Sequence, residues 1–159
     1  MTLDEVVHSA LQPALAILPM PMDSATARVM LLSIGQQESR FEFRRQIGGP
    51  ARGLWQFEQG GGVKGVFGHP ATTAHCRHLV ISRSIIWSVP TIYAALEFDD
   101  VLAAGMARLL LFADSRPLPP IDDAAACWDC YVRNWRPGKP HRETWDAFHA
   151  RALEQVRTV

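Results

Sequence analysis

The stretch QQESRFEFRRQIGGPARGLWQFE, residues 36–58, ends an apolar helical run at Glu38, turns through Gly48-Gly49-Pro50 and reaches a further carboxylate, Glu58, just after Gly53-Leu54-Trp55-Gln56. Upstream, Val29, Leu31, Leu32 and Ile34 recur at helical spacing, which predicts a helix over 24–38 with Asp23 or Ser24 as its cap. Glu38 then falls in the last turn, at the negative end of the helix dipole, where an ionised carboxylate is disfavoured. Burial beside Phe41 and Phe43 would act in the same direction and raise its pKa. Those are the conditions for a general acid that keeps its proton near neutral pH. The ordinary reading of the same residues is a solvated helix-end glutamate paired with Arg40 or Arg44.

Working outward, start signals and apolar spacing predict helices over 3–18 (kinked at Pro13), 71–87, 91–98, 100–113, 121–135 and 141–157. The starts are marked by Pro70, Pro90, Asp99, Pro120 and Pro140. In the last helix Trp145, Phe148, Ala152 and Val156 form the face to be buried. Eight of the eleven glycines lie between Gly48 and Gly68, so the one place for a small hairpin or irregular loop is 47–68. The expectation is a mainly α single domain, 1–159, with a glycine-rich lobe, and with DSRPLPP (114–120) as a surface connection.

Composition narrows the function classes. With 48% hydrophobic residues and sixteen basic against sixteen acidic side chains, the chain can bury a core without staples and is not disordered. The charges are nevertheless uneven. Residues 40–52 carry four arginines against one glutamate, and residues 97–123 carry six acids against two arginines. A basic strip can attract an anionic polymer, but the neutral total argues against nucleic acid as a partner. The acidic start and interrupted apolar content of the N-terminus read as an amphipathic helix and not a secretory signal, and 79–96 is too broken for a membrane span. Three cysteines provide no disulfide framework and fit a reducing compartment, so synthesis in the cytoplasm is expected.

Glu38-Ser39-Arg40-Phe41 followed by Gly53-Leu54-Trp55-Gln56 resembles the paired signature of lytic transglycosylases and goose-type lysozymes, in which a Glu-Ser is followed by Gly-Leu-Met-Gln. Fifteen positions separate Glu38 from Gly53, the usual family spacing, and Gly-Gly-Pro-Ala-Arg fits the small-residue approach. Trp55 replaces the methionine. The family's later Tyr-Asn and Gly-Pro-Gly-like turn is matched in part by YVRNWRPGKP, 131–140: Asn134 and Pro137-Gly138 are kept, Arg133 stands where the tyrosine is usual, and Tyr131 comes two residues early. The similarity covers about twenty residues clearly.

The resemblance implies a lysozyme-like fold and cleavage of the bond between N-acetylmuramic acid and N-acetylglucosamine in bacterial peptidoglycan, without metal or cofactor. It makes Glu38 the catalytic acid and places Ser39, Gly53, Trp55, Gln56, Tyr131 and Asn134 at the site. Glu58 falls where goose-type lysozymes carry a helper aspartate. If Glu58 positions a water, hydrolysis with inversion follows, with carboxyls about 6.5–9.5 Å apart; otherwise the muramyl 6-hydroxyl closes on the sugar carbon to leave a 1,6-anhydro product. A surface glutamate opening a glycine loop is the plain alternative for Glu58. Trp55, Phe57 and Trp135 are candidate sugar platforms, though aromatics more often fill cores. Arg44, Arg45 and Arg52 are candidates to meet wall carboxylates. A phage lysis protein released by a holin, or a virion protein, is the expected setting, acting at the cell wall. The alternative function is a non-catalytic lysozyme-fold structural or glycan-binding module of a phage particle.

Other signals are weaker. Cys127 and Cys130 have CxxC spacing, and His75, Cys76 and His78 lie some fifty residues earlier, but within a helix the cysteines read as small buried residues. GGGVKG, 60–65, lacks the spacing and the Ser or Thr of a phosphate loop. No serine lies in a strand-to-helix elbow.

Overall fold

The computed structural model describes residues 1–158, and they are mainly helical: α1 Leu3–Val6, α2 Gln12–Ile17, α3 Ala25–Ser39, α4 Lys64–Gly68, α5 Thr73–Ser82, α6 Val89–Ala95, α7 Asp100–Ala113, α8 Ala124–Trp135 and α9 Arg142–Thr158. One buried cluster runs through them all, from Val6 on α1 to Ala152 on α9. The anticipated kink at Pro13 takes the form of a π-helical turn, Val7–Leu11, joining α1 to α2, with the Gln12 N–H bonded to Val7 C=O. Widening the helix there accommodates the proline, which has no N–H to donate and whose ring would crowd the preceding turn.

Helix α3 is the axis of the fold. Ser24 caps it, its Oγ accepting from Ala27 N–H at 3.1 Å, and Asp23 holds Arg28 through two 2.7 Å bonds. Its middle is buried on every side: Met30, Leu31, Leu32, Ser33, Ile34 and Gly35 are all enclosed. It therefore lacks the one-sided apolar face read from the sequence and behaves as a central core helix. Its main helical partner is α9, where Gln36 Nε2 donates to Phe148 C=O at 3.0 Å. On α9 the buried positions are Trp145, His149 and Ala152, so His149 takes the inward place expected of Phe148.

Several expected boundaries move, among them those of α6, which runs Val89–Ala95 and not 91–98. Helix α5 stops at Ser82 instead of 87, because Ser84 adopts a left-handed conformation (φ 57°) and the chain restarts at Ser88, whose Oγ accepts from Thr91 N–H to cap α6. Helix α8 begins at Ala124, not 121, since Asp123 Oδ1 accepts from Ala126 N–H at 2.9 Å. The glycine-rich lobe divides. Residues 44–57 make isolated antiparallel bridges, Arg45 with Arg52 and Arg52 with Phe57, whereas Gln59–Val63 form a π-helical turn leading into α4.

At its C-terminal end α3 turns sharply through two non-glycine residues in the left-handed region, Arg40 (φ 52°) and Phe41 (φ 57°), an uncommon conformation for a bulky side chain. The turn brings the Phe41 ring back over Gly35, where a Cβ would lie 2.1 Å from it. Phe41 also meets Trp55 edge-on at 5.7 Å. Gly35→Ala gains helix propensity of about 1 kcal/mol yet is expected to lose about 2 kcal/mol net by overpacking this contact. Urea unfolding of the variant checks the sign: a gain in stability would mean that the ring is free to move.

Candidate functional site

The end of α3 opens on a cleft of about 1500 Å³, larger than the roughly 300–1,000 Å³ of a typical small-molecule pocket. Its walls come from the end of α3, the 43–58 segment, the glycine turn and α4, the end of α7, and the stretch from Tyr131 to His141. Glu38, Gln56, Glu58, Tyr131 and Asn134 all line it. Ser39, Gly53 and Trp55 do not, and they stand behind the wall as its frame.

That frame follows directly from local chemistry. Buried Ser39 donates from Oγ to Leu54 C=O at 2.6 Å and accepts from Phe41 N–H at 3.1 Å. Trp55 is wholly buried, its Nε1 donating to Leu31 C=O at 2.8 Å, so it packs in the core and offers no sugar platform. Trp135 Nε1 donates to Trp55 C=O at 2.9 Å and its ring meets buried Phe57 edge-on; these two do reach the cleft. Gly53 is required twice, by φ +76° and because a Cβ would lie 2.9 Å from Leu96 C=O.

Glu38 is half-buried and desolvation raises its pKa to about 7, opposed by the hydrogen bond from Tyr131 Oη to Oε1 at 2.6 Å. Tyr131 itself is pushed up by burial and then by the Glu38 charge, so it remains a donor. Its ring is stacked on Trp145 at 5.2 Å and flanked by Trp128 at 5.3 Å, which fixes the hydroxyl on the carboxyl. Although two residues ahead of the position the resemblance implies, Tyr131 shares the buried face of α8 with Cys127 and Cys130. Arg133 also lines the cleft, but it binds Asp114 at 2.7 Å and not Glu38.

Asn134 lines the cleft with Nδ2 donating to Asp114 Oδ2 at 3.0 Å and to Cys130 C=O at 2.8 Å. Burial raises Asp114, but the Arg116 N–H, Asn134 and Arg133 together hold its carboxyl below the usual value. Sequence reading treated Asp114 as part of a surface connection; only the helix packing shows it as an anchor of the cleft wall. Gln56, at φ 51°, turns its Nε2 back to Gly53 C=O at 2.8 Å. Glu58 is exposed and makes no side-chain hydrogen bond or ion pair among the described residues.

The arginines proposed for wall carboxylates are already engaged. Arg44 grips Asp100 with bonds of 2.7 and 2.6 Å, and Arg52 meets Glu97 at 3.1 Å, with Arg45 at 4.0 Å from the same carboxylate. The basic 40–52 segment and the acidic segment beginning at Glu97 are thus largely partners of each other. The cysteines do not gather either. Burial pushes the Cys76 and Cys127 thiols up to about 12 and raises Cys130. Among the described residues no three His, Cys, Asp or Glu group to hold a metal ion, and no helix is long and apolar enough to cross a membrane.

Comparison with family models, with curated proteins and with solved structures found no match.

Because the folded-state pKa of Glu38 lies above its ordinary 4.5, the folded protein holds this proton more tightly than the unfolded chain does. The stability it contributes is full below pH 4.5 and is lost as pH rises through about 7. Glu38→Gln is therefore expected to be more stable than the parent at pH 8, by roughly 2–3 kcal/mol, with the difference shrinking toward zero near pH 4. Urea unfolding at both pH values tests this; an unchanged difference would place the carboxyl in water. Tyr131→Phe removes the bond that lowers Glu38, so an NMR titration of the Glu38 carboxyl is expected to move upward from about 7. Gly65, with no atom within 4 Å of a Cβ and no positive φ, is not demanded by packing, and Gly65→Ala is expected to gain about 0.5–1 kcal/mol in thermal unfolding.

Proposed function

We propose that this protein cleaves the glycosidic bond between N-acetylmuramic acid and N-acetylglucosamine in bacterial peptidoglycan, on a lysozyme-like fold of the lytic transglycosylase and goose-type lysozyme kind. The observation that carries the reading is Glu38: a carboxyl with its pKa raised to about 7, held by Tyr131 on the wall of a cleft of about 1500 Å³. A carboxyl of this pKa is close to half-protonated at neutral pH, which suits it to give a proton and take one back. The Tyr131 contact supports the reading further, because it supplies a tyrosine to the acid although the sequence motif is displaced by two residues.

Glu38 would protonate the glycosidic oxygen as the bond to the muramyl C1 breaks and positive charge develops on that carbon. In the transglycosylase ending, the muramyl 6-hydroxyl attacks C1 and gives its proton to the Glu38 carboxylate, restoring the acid and leaving a 1,6-anhydro sugar. In the hydrolytic ending, a water held by Glu58 on the same cleft attacks C1 and gives its proton to the Glu58 carboxylate, and Glu38 takes a proton back from solvent. Neither ending calls for a metal or a cofactor. The place of action is the bacterial cell wall, with a phage lysis or virion protein as the proposed setting.

Digestion of purified peptidoglycan by the wild type and by Glu38→Gln, with mass analysis of the released muropeptides, tests the proposal. Wild-type release of anhydro or reducing-end products is expected, with a loss of at least about 100-fold in the variant; the product type separates the two endings. A folded wild type that releases nothing would point to a glycan-binding module without turnover. For an active enzyme, the acid role predicts a rate that falls as pH rises through about 7, and Tyr131→Phe would carry that fall to higher pH.

A further inference from the structure

Seven arginines, Arg28, Arg44, Arg45, Arg52, Arg83, Arg133 and Arg142, each face an aspartate or glutamate within 4.0 Å. Of the other nine Lys and Arg side chains, which make no ion pair among the described residues, three stand together on the cleft. Lys64 at the start of α4, and Arg136 and Lys139 after α8, are exposed, line the cleft and make no ion pair among the described residues. They come from two chain segments more than seventy residues apart in sequence, so no single loop explains their meeting. Arg136 is held in the left-handed region (φ 51°) as the cap of α8, its N–H bonded to Val132 C=O.

The carboxylates of the same cleft do not offset them. Asp114 is taken by Arg133, Asn134 and the Arg116 N–H, and Glu38 is bonded to Tyr131. Glu58 alone is an acid there with no partner among the described residues. In a chain of zero formal net charge, the cleft therefore carries an excess of cations that the fold does not use. Such an excess in a cleft of this size matches a polymer bearing anionic substituents.

We infer that Lys64, Arg136 and Lys139 form a cationic subsite for the free carboxylates of the peptides that the glycan strand bears, a specificity device resting on the peptidoglycan reading above. The sugars pass Glu38, and the peptide carboxylates meet the three exposed cations that line the same cleft. Discrimination comes from the substituents and leaves the reacting bond to Glu38.

The test compares untreated peptidoglycan with peptidoglycan whose free carboxyls have been converted to neutral methylamides. The wild type is expected to show a KM about tenfold lower on the untreated polymer, the product of three exposed ion pairs at about twofold each, with kcat unchanged and the advantage fading at high salt. Lys64→Gln/Arg136→Gln/Lys139→Gln is expected to lose the discrimination. A control with the same charge change outside the cleft, Arg77→Gln/Arg151→Gln/Arg157→Gln, keeps it. Equal KM on the two polymers, or discrimination that survives in the cleft variant, overturns the subsite while leaving the proposed activity standing. If neither polymer is cleaved, co-sedimentation of the wild type with the two polymers gives the same ratio from binding alone: a preference for the untreated form that the cleft variant loses upholds the subsite without turnover, and its absence overturns it.

Discussion

A single buried hydroxyl, that of Ser39, ties the two halves of the site together. It accepts from Phe41 N–H, which stabilises the left-handed exit from α3, and it donates to Leu54 C=O, which docks the Gly53–Gln56 turn against the helix end. Because Ser39 and Phe41 are buried, each of those backbone groups needs a partner, and leaving one bare would cost about 1–3 kcal/mol. The position of Glu38 depends on this joint. The helix must stop one residue beyond it and the chain must double back, so its carboxyl is left at the cleft wall while Phe41 closes over Gly35.

The second constraint is the aromatic clamp around Tyr131. Trp145 from α9 and Trp128 from α8 hold the phenol ring, and Trp145 is itself tied through Nε1 to Ala124 C=O at 2.8 Å. The bond to Glu38 therefore joins α3 and α8 across 93 positions of sequence and is backed by rigid packing. It also balances the acid: desolvation alone would raise the Glu38 pKa further, and the phenol, by donating to the carboxylate, lowers it.

Electrostatics fasten the 44–57 segment to the body and leave three cations of the cleft without an ion pair among the described residues. The basic run after Glu38 looked like an anion-binding strip in sequence, yet Arg44, Arg45 and Arg52 close on Asp100 at the start of α7 and on Glu97 just before it. A forked guanidinium matches a carboxylate in geometry as well as charge, so Arg44 and Asp100 fasten the 44–57 segment to the body. The cleft cations Lys64, Arg136 and Lys139 had no signal of their own. Lys64 lay in a glycine run that resembled a poor phosphate loop, and Arg136 and Lys139 belonged to a turn.

Local rules read from the sequence determined the helical class, the start of α3 at Ser24, the full extent of α7 and the place of Glu38 in a last helical turn, because caps and apolar spacing act over a few residues. They failed where a choice depended on distant neighbours. Gly60, Gly61 and Gly62 enter a helical turn although their propensities oppose it, α5 ends early where Ser84 turns left-handed, and Trp55 faces Leu31 instead of a ligand. Tertiary structure alone decided that Tyr131 would meet Glu38, that Arg44 and Arg52 would be occupied, and that Asp114 would anchor the cleft. Each of these is a contact between residues at least nineteen apart in sequence, and the rotation of α8 that sets two of them follows from burying Cys127, Cys130 and Tyr131 together, a packing outcome no short window of sequence contains.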